Sequence, residues 1–84
     1  MTKVTIQARP INVIAKEIKK LWTKVYFGAV PYLDAMLCVE NVNDRYGTES
    51  AKTQIIYFLC NASTFKGEDA KRIKIELKQI AGIK

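Results

Sequence analysis

Histidine is absent from this chain of 84 residues, and cysteine, proline and tryptophan number only two, two and one. Without histidine the usual proton shuttle and the commonest metal ligand are both missing. No CxxC pair occurs either, so a zinc or haem site would need carboxylates and two distant cysteines, and no metal or cofactor is expected. Long apolar runs are also lacking. The longest, Val25 to Val39, is broken by Gly28, Pro31 and Asp34 and falls short of the ~20 residues of a membrane span. No membrane partner follows from it. Cys38 and Cys60 each sit inside an apolar run, and no signal peptide is read ahead of them. They are expected to be buried free thiols of a cytoplasmic, reducing environment. Repeats, low-complexity tracts and linkers are missing as well.

What is present suits a folded domain. Apolar residues make up 49% of the chain and charged residues 26%, ordinary values for a globular protein. So short a chain forms one core and buries only roughly 60 to 65% of its unfolded surface, a thin margin that makes a homo-oligomer expected. The alternation of Thr2 to Gln7 suits an extended arm over 1–10, and Pro10 marks the change to a helical domain over 11–84. Ile11, Ile14, Ile18, Leu21, Trp22 and Val25 line one side of a first helix whose outer face is basic. A second helix, the central one, is predicted over 31–46, with Gly47 as its left-handed cap. Thr48 or Ser50 then caps a third helix over 49–62, although Ile55 to Phe58 would also suit a strand. Glu68 and Asp69 open a last helix with the stripe Ala70, Ile73, Leu77 and Ile80. The fold expected is therefore all-α, a compact bundle of about four short helices.

The net charge of +6 is unevenly spread. Residues 1–24 hold six bases and one acid, 25–50 one base and four acids, and 51–84 seven bases and three acids. Such a balance suits attraction to nucleic acid, a nucleotide or an acidic protein. Lys66, Lys71, Arg72, Lys74 and Lys78 form a candidate phosphate-contacting face, the simpler reading being that they serve solubility. Asp34 and Glu40, six residues apart, do not stack on one helical face, and no catalytic set emerges. Asp34 reads as a favourable charge near the start of the second helix, or as a binding group with Tyr26 or Lys71 beside it. Ser63 to Asp69 puts two hydroxyls, a lysine and a glycine before a helix, but it lacks the spacing GxxxxGK[ST]. The simpler reading has Ser63 or Thr64 capping that helix while Phe65 packs inward. Trp22, Tyr26, Phe27 and Tyr32 divide between core and surface anchors. The candidate partner-binding residues are therefore Tyr26, Tyr32, Asp34, Asn61, Thr64, Lys66, Lys71 and Arg72, in a protein that is not an enzyme.

The run Tyr26 to Met36, the pair Tyr46-Gly47 and the run Tyr57 to Lys71 together resemble small uncharacterised proteins encoded by bacteriophages. The resemblance is spread over residues 26–71, about half of the chain, and brings no catalytic residues. It implies a phage accessory protein in the bacterial cytoplasm that binds a host or phage macromolecule. An inhibitor of a bacterial defence system is one form of that expectation, and a nucleic-acid or nucleotide-binding protein is the alternative.

Overall fold

A computed structural model describes residues 9–82, so most of the predicted arm, residues 1–8, lies outside the described residues. Helix α1 (Ile11–Leu21) starts directly after Pro10 and buries Ile11, Ile14, Ala15 and Ile18. It ends four residues earlier than its periodicity predicts. Trp22 leaves helical geometry to stack on Phe65, with ring centroids 5.1 Å apart, and to pack roughly perpendicular to Phe58.

A single 3-10 turn (Phe27–Ala29) leads into α2 (Val30–Met36), which has Pro31 in its first turn as predicted. The helix expected over 31–46 stops at Met36. Asparagine and aspartate compete with helical hydrogen bonding, and here Asp44 wins. Its Oδ2 accepts the backbone N–H groups of Glu40 and Asn41 at 2.9 and 3.0 Å, and its own N–H donates to Asn41. The loop is pinned at both ends, since Ile11 donates to Glu40 at 2.9 Å and Ala51 to Asp44 at 2.7 Å. A short antiparallel hairpin follows, β1 (Arg45–Tyr46) with β2 (Glu49–Ser50), in the register Arg45 to Ser50 and Tyr46 to Glu49. Gly47 is left-handed, as predicted, but it turns this hairpin instead of ending a helix.

Helix α3 (Ala51–Cys60) is a helix and not the alternative strand. Ser50 caps it, its hydroxyl accepting the Thr53 N–H. Ala51, Ile55 and Phe58 are buried, and so is Gln54, whose amide donates to Glu49 at 2.9 Å. Helix α4 (Glu68–Ala81) buries Ala70, Ile73, Leu77 and Ala81 and ends on the left-handed Gly82. Neither Ser63 nor Thr64 caps it. Its first residue is preceded by Gly67 at φ 111°, because the turn closed by the Phe65 N–H on Ala62 uses the preceding segment to sink Ala62 and Phe65 into the core.

The four helices pack in chain order, α1 on α2, α2 on α3 and α3 on α4, and α4 closes the ring on α1. No one helix is central, and α2 is only two turns long. The fold is mostly α, with the small hairpin as its β component. Both cysteines are exposed, contrary to the expected burial. Cys38 falls in the turn just beyond α2 and Cys60 on the last turn of α3, while their neighbours Val39 and Phe58 face inward.

Candidate functional site

Local geometry at the start of α2 sets the most distinctive surface. The 3-10 turn buries Ala29 and directs Phe27 outward, leaving it 80% exposed. The Tyr26 ring folds back over Gly28 and lies 4.9 Å from the Phe27 ring. A Cβ at Gly28 would come within 2.6 Å of Tyr26 Cε2 and 2.9 Å of Asn61 Oδ1, so only glycine admits both groups as placed. Asn61 in turn donates from Nδ2 to the Tyr57 carbonyl at 2.9 Å, which fixes its side chain at the end of α3. Tyr57 carries the surface on to Tyr32, with ring centroids 5.4 Å apart.

The result is a strip running Phe27, Tyr26, Asn61, Tyr57, Tyr32, with Tyr26 and Tyr57 about half-exposed. Val30 and Asp34 follow Phe27 at spacings of three and four, on the outward side of α2. Asp34 sits in the second turn of that helix and is exposed, away from the helix start that the sequence suggested. Tyr26, Tyr32 and Asn61 are thus brought together, with Asp34 at the rim. Tyr57 was missed by sequence reasoning, although its place one turn before Asn61 puts both on one face of α3.

Thr64, Lys66 and Lys71 lie elsewhere, on the turn before α4 and on that helix, all exposed. Arg72 is held in an ion network. Its Nη2 donates to Glu17 Oε2 at 2.8 Å and to Asp69 at 3.3 Å. Glu17 Oε1 meets Arg9 Nη2 at 2.8 Å, and Arg9 grips Glu76 with two hydrogen bonds of 2.7 and 3.0 Å. The hydrogen bond from Arg72, then that from Arg9, holds the Glu17 carboxyl below its ordinary value. Reading the pairs in order, Arg9 with Glu76, Glu17 with Arg72 and Trp22 with Phe65, shows α1 antiparallel to α4.

A different environment surrounds Lys74. Its ammonium lies 5.8 Å from the centre of the Phe65 ring, and partial burial first, then the nearby Lys66 and Lys78, lowers its pKa. No carboxylate pairs with these three lysines among the described residues.

An open cleft of about 660 Å³ lies between Arg9, Ile11, the loop 40–44 and Ile80. Two of its charged groups are already engaged, Arg9 by Glu76 and Glu17 and Asp44 by two backbone amides, which also hold the Asp44 carboxyl below its ordinary value. No group of three or more metal-ligating side chains comes together among the described residues. No described helix is long and apolar enough to cross a membrane. No family model, curated protein or solved structure matches this chain.

Proposed function

We propose that this chain is a binding module that takes a protein partner on the strip Phe27, Tyr26, Asn61, Tyr57, Tyr32. The observation that carries the reading is Phe27, a large apolar ring 80% exposed yet held on a tight turn beside two half-exposed tyrosines. Rigid aromatic side chains lose little conformational freedom on binding and are typical interface anchors. Binding rather than catalysis is supported by the work of the carboxylates: Glu17, Asp44, Glu49, Asp69 and Glu76 each hold a structural contact. The phage resemblance gives the context, a phage accessory protein in the bacterial cytoplasm whose partner is a host or phage protein. Inhibition of a defence protein is the specific form proposed.

Affinity capture from nuclease-treated bacterial lysate tests this, comparing the natural chain with Phe27→Ala and Tyr57→Ala. Burial of one such ring contributes about 2 kcal/mol, so Phe27→Ala should weaken retention roughly 30-fold. Equal capture by all three proteins would remove the strip from the account. Self-association on the same strip is separable by sedimentation at two concentrations, where a dimer lost in Phe27→Ala makes a second copy the occupant.

A further inference from the structure

Of the candidate basic face Lys66, Lys71, Arg72, Lys74 and Lys78, the ion network takes Arg72 away and leaves the lysines together. At 100° per residue, the buried stripe Ala70, Ile73, Leu77 has Asp69, Arg72 and Glu76 on one flank and Lys71, Lys74 and Lys78 on the other. Lys66, next in sequence to the Phe65 ring that Lys74 covers, extends the second flank beyond the helix. The first flank is neutralised by Glu17 and Arg9 across the α1–α4 contact. Along the second flank, like charges stand at spacings of three and four residues.

We infer that Lys66, Lys71, Lys74 and Lys78 form a second binding surface, separate from the aromatic strip, that takes the phosphate backbone of a nucleic-acid duplex. Charge complementarity points to a polyanion. Lysine is a point charge that meets phosphate without directional demands, and the arginine of this helix, whose fork would suit phosphate and carboxylate alike, is committed on the opposite flank. A protein partner would also need an apolar centre between the charges, and the outer surface of α4 offers only Ile75. Lys71 and Lys78 stand ~10.5 Å apart along the helix, about the axial rise of three base pairs of a duplex. Trp22 and Phe65 are buried beneath, so no ring is available for base stacking, and the contact reads backbone rather than sequence.

Fluorescence anisotropy with a labelled DNA duplex, an RNA duplex and poly-glutamate tests the inference across salt concentrations. Four phosphate contacts predict a slope of log K against log salt of roughly −3.6, or a loss of roughly 150-fold between 50 and 200 mM salt. Lys74→Gln with Lys78→Gln should reduce the slope by about 1.8. Lys16→Gln with Lys52→Gln, an equal loss of charge on α1 and α3, should leave it nearly unchanged. Lys66→Gln with Lys71→Gln, both at exposed positions, repeats the test where folding is not at issue. Absence of duplex binding at 50 mM salt overturns the inference, and so does an equal effect of the α1 and α3 pair. Poly-glutamate bound as tightly as duplex assigns the surface to an acidic protein and overturns it too. The aromatic variants Phe27→Ala and Tyr57→Ala should bind duplex normally, so failure of either surface leaves the other standing.

Discussion

Gly28→Ala separates the stability of the fold from the integrity of the aromatic strip. Gly28 has no positive φ, so the backbone accepts alanine, and within a helical turn the change itself favours folding by about 0.5–1 kcal/mol. Against this, the new methyl would stand 2.6 Å from Tyr26 Cε2 and 2.9 Å from Asn61 Oδ1. Both are outer parts of side chains and can move. Displacing Tyr26 costs its pairing with Phe27, about 0.5–1.5 kcal/mol, and moving Asn61 strains its bond to the Tyr57 carbonyl, worth about 1 kcal/mol. The balance is a destabilisation of at most about 1–2 kcal/mol, which lowers the melting temperature by roughly 4–16 °C in a domain of this size. The core beneath is untouched. Thermal unfolding followed by circular dichroism, with near-ultraviolet spectra for the tyrosines, measures both effects. The expected result is a folded protein with altered tyrosine signals and partner capture reduced as severely as by Phe27→Ala. An unchanged near-ultraviolet spectrum, or a melting temperature above that of the natural chain with capture intact, would refute the argument that Tyr26 and Asn61 are fitted to this glycine.

Phe58→Ala removes a fully buried ring that packs roughly perpendicular to Trp22; it should cost about 3–5 kcal/mol, a large share of the ~4–13 kcal/mol typical of a chain this long, and chemical denaturation would show it. Glu17→Gln weakens the bridge between α1 and α4 and should lower stability by at most about 1 kcal/mol, with the difference shrinking at high salt in thermal melts. The folded-state pKa values of Glu17 and Asp44 lie below their unfolded values, so their contribution is complete above the unfolded carboxylate pKa near 4.5 or 3.8 and is lost as pH falls through the folded values; acid titration by circular dichroism should show stability declining below about pH 4.5. Cys38 and Cys60 are exposed, so both thiols should react with a thiol reagent in the native protein, and a reaction requiring denaturant would contradict their placement.

The helices were legible where the apolar spacing and the end signals agreed. Ile11, Ile14 and Ile18 gave α1, and Glu68 with Asp69 opened α4. The second helix was misread because Leu33, Met36, Val39 and Val42 keep helical spacing whether or not the backbone is helical. What holds the segment beyond it in a loop is a carboxylate that captures two amides three and four residues earlier, a contact invisible to periodicity. Gly47 was correctly placed in left-handed geometry, which a hairpin and a helix cap both demand. The burial of the cysteines was misjudged for a related reason: an apolar run says that a segment touches the core, and the local rotation decides which residue does. Of the aromatic strip, Tyr26, Tyr32 and Asn61 could be nominated singly. Their meeting across Gly28 is a tertiary fact that joins residues more than thirty positions apart.

The division of α4 gives the lysine flank an energetic signature of its own. Lys74 carries a lowered pKa, so the folded state holds its proton less tightly than the unfolded chain does. Below the folded value that penalty is present in full, and it is relieved only as pH rises through the interval up to about 10.5. Near neutrality, then, the fold is less stable for keeping this charge partly buried, with Lys66 and Lys78 adding to the penalty. Lys74→Gln should stabilise the domain, whereas Glu76→Gln on the opposite flank, which removes the charge and puts an NH2 group where one of the two Arg9 hydrogen bonds is accepted, should destabilise it. Opposite signs on two flanks of one helix distinguish charge that serves folding from charge kept at its expense, and only the latter calls for a partner. If both substitutions proved destabilising, Lys74 would be a packing residue covering Phe65, and the duplex surface would lose its central lysine.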